Sequence, residues 1–143
     1  MIKEVTRHNR QVQNEIISKV GKGYRLLELF SIGRIGSQPV DILHYSEHFS
    51  VYFNSDYTTH RGNIELRKRG ILFGFNLGQR SFVWAVPFID LHIFTTDDKI
   101  TIRDKERRIE CQPSYNAPLD MFFIEKVNLF ASQALNESRN DFI

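Results

Sequence analysis

At 143 residues, with 41% hydrophobic, 25% charged and 13% aromatic residues, the chain has the size of one domain and enough apolar surface for a core without disulfide or metal staples. Its 19 basic and 17 acidic residues leave a net charge of +2, too small an excess to indicate a polyanion, so a nucleic-acid partner is not expected. The single cysteine, Cys111, excludes an intrachain disulfide and reads as a reducing, cytoplasmic compartment; no apolar signal segment opens the sequence and no run approaches the roughly 18 apolar residues of a membrane span.

In chain order, Val5, Val12, Ile16 and Val20 recur at helical spacing in an otherwise polar stretch, with Gly21 following as a cap. This predicts a one-sided N-terminal helix within residues 1–22. So narrow a stripe belongs at a domain edge or against a second chain. Residues 24–32 form an apolar segment whose type the pattern leaves open, and Gly33, Gly36 and Pro39 break the chain before the main β region. From Val40 the period is two. Phe49, Val51 and Phe53 alternate with Ser50 and Tyr52 as in a half-buried strand, and Asn54, Ser55 and Asp56 bound a loop with residues 60–63.

Ile64 and Leu66 open a strand that turns at Arg69 and Gly70 into a second, which places Ile71, Phe73, Phe75 and Leu77 on one face. A turn at residues 77–81 leads to a strand around Trp84 that stops or bulges at Pro87. Ile89, Leu91 and Ile93 alternate up to the polar turn at Thr96, Asp97 and Asp98, and Ile100, Ile102, Ile109 and Cys111 supply four inward positions of a last hairpin. The helical period then returns. Asn116 or Ala117 as cap, Pro118 in the first turn, and a stripe of Leu119, Phe123, Val127, Phe130 and Ala134 with Phe122 beside it predict an amphipathic helix at about 117–136, with a frayed end after it. The expected fold is therefore α+β: residues 23–143 form one domain, an antiparallel β-roll or barrel of about seven strands capped by the C-terminal helix, with an additional N-terminal helix.

Four segments, IELRKRGILFGF, SFVWAVPFIDL, DDKITIRDKERRIEC and PLDMFFIEKVNLFASQAL, make residues 63–135 resemble the pleckstrin-homology-like domains found in bacterial proteins of unknown function. The resemblance covers about half of the chain and implies two nearly orthogonal antiparallel sheets with the last helix plugging one corner. Such domains mostly act as binding or assembly modules, some recognising phosphoinositide headgroups, peptides or their own copies. The helical N-terminus and residues 24–32 depart from that pattern.

The sequence holds neither a Gly-x-Ser-x-Gly elbow nor a cysteine-protease context, so no catalytic residue is assigned, and Cys111, in phase with Ile109, reads as a buried inert thiol. His44 and His48 have metal-ligand spacing for a helix, but in extended chain they stand about 13 Å apart, and His8, His60 and His92 add no third ligand; no metal or cofactor is expected. The Gly21, Lys22, Gly23 turn lacks either nucleotide fingerprint, and a solvated turn explains Asp97 and Asp98.

The basic residues carry the remaining lead. Arg61, Arg67, Lys68, Arg69 and Arg107, with Arg80, Lys105 and Arg108 nearby, would form an anion site if the sheet curls; the competing reading is that they are solvated hairpin tips, offset by Glu65, Asp104, Glu106 and Glu110. The functional expectation is a non-catalytic binding or assembly module, with a protein partner or a second copy of the chain on Val5, Val12, Ile16 and Val20. The alternatives are a binder of anionic lipid headgroups or small anions through the five cations, and a small enzyme or metal protein around His44 and His48.

Overall fold

The computed structural model describes residues 1–53 and 59–140; the expected loop residues Asn54, Ser55 and Asp56 lie outside them. Among the described residues the chain is α+β, with eight strands in one open antiparallel sheet and three α-helices. In sequence they run β1 (Ile2–Glu4), α1 (Arg10–Val20), α2 (Leu26–Ile32), β2 (Val40–Tyr45), β3 (Arg61–Arg67), β4 (Gly70–Leu77), β5 (Arg80–Pro87), β6 (His92–Thr96), β7 (Lys99–Arg103), β8 (Arg108–Pro113) and α3 (Met121–Asn140). The sheet order is β1-β5-β4-β3-β2-β8-β7-β6. Two meanders, β2 to β5 and β6 to β8, are thus joined where β2 pairs with β8. Turn chemistry sets the hairpins: Gly78 at φ 61 reverses β4 into β5, and Asp97 at φ 55 reverses β6 into β7.

The sheet is strongly curled. Trp84 on β5 and Asp104 just after β7 are far apart in the strand order, yet the indole Nε1 donates to the Asp104 carboxylate at 3.2 Å. Inside the curl, Ile64, Leu66, Ile71, Phe73, Phe75, Trp84, Ile100, Ile102, Ile109 and Cys111 meet Phe123, Ile124 and Val127 of α3 in one buried cluster. The period-two positions of the hairpins and the stripe of the last helix therefore cover each other, as the pattern requires.

Several expectations are corrected. The strand count is eight because Ile2–Glu4 extends the sheet as β1, in register with Phe82, Val83 and Trp84, where a long helix was expected; α1 starts only at Arg10, capped by the Asn9 side chain on the Val12 amide at 3.1 Å. The alternation at Phe49, Val51 and Phe53 is not a strand. Phe53 donates its amide to the Phe49 carbonyl at 3.1 Å, a helical turn that buries both rings and leaves Val51 exposed, because the two Phe also have i, i+4 spacing. Ile89 is exposed in the β5–β6 turn rather than inward-facing. The last helix begins at Met121, not near 117, since the Asp120 carboxylate takes the Phe123 amide while Gln38 bridges the Pro118 carbonyl and the Asp120 amide; it continues to Asn140 instead of fraying from 136.

Candidate docking surface

The outer face of β4 and β5 is covered by α1. Ile16 and Val20, exposed 2% and 0%, sit on Leu72 and Ala85, with Met1, Val5, Val12 and Val83 packed around them. The stripe expected to meet a partner thus meets the chain's own sheet. Gly70 permits this: a Cβ there would lie 2.3 Å from the Val86 carbonyl and 2.7 Å from Val20, so the end of α1 can seat on the β3–β4 hairpin only over a glycine.

The cations of that hairpin serve the same joint. The Arg69 guanidinium donates to the Ile17 carbonyl at 2.9 Å, at the negative end of α1. Arg67 pairs with Glu65 at 2.6 Å and lies against the Gly21 carbonyl, its side chain only 15% exposed. Lys68 turns the other way, to Glu28 of α2 at 3.2 Å and to the face of Tyr24. Arg61 stands at the far end of β3, about 20 Å away by strand rise, paired with Asp41 at 3.0 Å and stacked on Tyr115. Arg107 lies in the β7–β8 turn beside Glu106. Arg80 clamps Glu4 at 2.9 Å and, with the Thr6 hydroxyl, holds that carboxyl down to about 2. The five candidate cations thus lie at the β3–β4 hairpin, at the far end of β3 and in the β7–β8 turn, each beside a carboxylate or a carbonyl, while the buried Nε of Arg107 has no hydrogen-bond partner among the described residues.

The remaining candidates lie elsewhere. Cys111 is buried, and desolvation pushes its thiol up to about 12, which leaves it in the unreactive protonated form. His44 is on β2 and His48 in the helical turn beyond it, and among the described residues no group of three or more His, Cys, Asp or Glu converges. His92 opens β6 and faces solvent.

The feature that the sequence left unassigned is α2. None of its residues is buried, and Leu26, Leu27 and Phe30 are exposed 76%, 81% and 85%. The i, i+1, i+4 spacing puts them on one side of a helix of under two turns. The helix is capped by its own Glu28, which accepts from the Arg25 amide, and polar contacts hold it to the body: Lys68 reaches Glu28, Arg34 pairs with Asp120, and Lys126 of α3 donates to the Arg34 carbonyl at 2.9 Å. The amide of Arg25 and then Lys68 keep the Glu28 carboxyl below its ordinary range. On α3, Phe122 and Leu129 are also exposed, one turn either side of Lys126. Both helices thus present bare apolar side chains outward; single exposed residues are ordinary, whereas three on the seven residues of α2 are not.

Compared with known proteins, the chain matches no family model and no curated protein. No helix among the described residues is long and apolar enough to cross a membrane.

Proposed function

We propose that this chain is a non-catalytic docking module of pleckstrin-homology-like fold, which meets its partner through the exposed face of α2. The fold reading is supported by the strand order, a four-stranded and a three-stranded meander joined at their first and last strands and followed by a helix that fills the core. One observation carries the functional reading: Leu26, Leu27 and Phe30 stand bare on a helix with no buried residue. Three large apolar side chains on so short a segment raise the cost of hydration without contributing to the core, and a surface that covers them removes it.

The test is the binding of an apolar fluorescent dye to the folded chain and to the triple variant Leu26→Ser, Leu27→Ser, Phe30→Ser. The parent is expected to enhance the dye, and the variant to lose most of that enhancement with Tm held within about 4 °C. Equal dye binding by both proteins, or a variant that melts far lower because the face belongs to the core, rejects the reading.

A further inference from the structure

We infer that the open groove on the outer face of β3, β4 and β5 is a binding site for an uncharged planar heterocycle with an amide-type donor–acceptor edge, of the nucleobase class. The site is separate from the α2 face and does not depend on it. Helix α1 covers the row of Leu72 and Ala85 but stops short of the next, in which Asn63, Gly74 and Val83 stand side by side in register across the three strands. Two adjoining cavities, of about 240 and 390 Å³, share these three residues and Val5, and Gln13 and Ile16 of α1 close one end. The larger lies within the roughly 300–1,000 Å³ of small-ligand sites.

Gly74 carries the inference. A glycine inside a strand destabilises it, and its usual reason is the close approach of another group to the backbone. Gly62 and Gly70 have that reason within the body, where a Cβ would lie 2.6 Å from the Phe73 ring and 2.3 Å from the Val86 carbonyl. At Gly74 the backbone is ordinary strand, and the nearest atom to a Cβ would be Oδ1 of Asn63 at 3.1 Å, the tip of an exposed side chain. The absent side chain thus flattens the floor of the groove. Its walls set the chemistry. Among the described residues the side-chain amides of Asn63 and Gln13 make no hydrogen bond. The charges beside them are matched: Glu65 and Arg67 bond each other at 2.6 Å, Arg61 holds Asp41 at 3.0 Å, and Lys3, in register with Val83, pairs with Glu15. A charged ligand therefore gains little there. A carboxamide offers a donor and an acceptor side by side, which fit the paired edge of a nucleobase, while Gly74 and Val83 take its flat face.

Proton–nitrogen NMR titration of the full chain with adenosine and with uridine tests this, with adenosine monophosphate and glucose as comparisons. At least one nucleoside is expected to shift the amides of residues 63, 74 and 83 and the side-chain amides of Asn63 and Gln13, saturating with a Kd of about 1 mM or tighter. Adenosine monophosphate is expected to bind no more tightly than adenosine, and glucose, which has hydrogen-bonding groups but no flat face, to leave these signals in place. Gly74→Ala raises the floor and is expected to weaken binding at least about tenfold while Tm stays level or rises by about 2–4 °C, a pairing of opposite signs that a structural glycine does not give. Asn63→Ala alters only an exposed side chain and is expected to lose at least about tenfold as well. Unmoved signals with both nucleosides at about ten times that Kd overturn the inference. So do equal shifts with glucose, tighter binding of the monophosphate, a Gly74→Ala variant that melts lower than the parent, or binding that neither variant weakens.

Discussion

The two N-terminal helices carry apolar side chains to opposite ends. Helix α1 is mostly polar, and its Val12, Ile16 and Val20 are used against β4 and β5, whereas α2 is mostly apolar and leaves three of its largest side chains in water. Their attachments differ in kind as well. Apolar burial on Leu72 and Ala85 fixes α1, and Arg69 caps its end; α2 is pinned by ion pairs and hydrogen bonds through Glu28, Arg34 and Lys126. Hydrophobicity of a segment therefore does not decide whether it joins the core. What decides is whether the fold offers a facing surface, and Gly70 opens one for α1.

The sharpest way to break this comparison is to truncate one side chain on each helix. Ile16→Ala removes a buried side chain between α1 and the sheet and is expected to cost about 2–4 kcal/mol in urea unfolding. A loss below about 1 kcal/mol would show that α1 is only loosely seated. Arg69→Ala removes the guanidinium from the Ile17 carbonyl and is expected to cost about 1 kcal/mol in the same measurement, with amide exchange rising over residues 17–20. Phe30→Ser is expected to stay within about 0.5 kcal/mol of the parent, because its ring already stands in solvent. The smallest expected effect is acid-dependent. The folded-state pKa of Glu28 is depressed, so the stabilisation it gives α2 is full above the ordinary value of 4.5 and is lost as pH falls from there through the lower folded value. Helix α2 is then expected to loosen in that window while α1 does not, and Glu28→Gln is expected to remove the pH dependence seen in tyrosine fluorescence from Tyr24.

Most of the sheet was legible in the sequence, because period-two runs between polar turns have few other solutions. Ile71, Phe73 and Phe75, and then Ile100, Ile102, Ile109 and Cys111, all lie inward as the alternation requires. The stripe of the last helix was equally plain, though Phe122 falls on its bare side and Ile124 on its buried one. Strand β1 was not legible: three residues carry no period, and the partner at residues 82–84 lies far along the chain. Phe49 and Phe53 satisfied both periods, and only packing against Trp84 and Phe75 chooses between them. A stripe of valines on a polar helix resembles an interface, and only the tertiary fold shows that Leu72 and Ala85 cover it while α2 stays bare. The surroundings of the basic hairpin were not legible for a similar reason, since Arg67, Lys68 and Arg69 point to carbonyls and carboxylates brought beside them by α1 and α2.

Amide hydrogen exchange, followed by mass spectrometry, tests the central contrast most directly. Residues 16–20 are expected to be protected and residues 26–32 to exchange fast. Protection of α2 equal to that of the sheet, or exchange of α1 as fast as that of α2, would contradict the account.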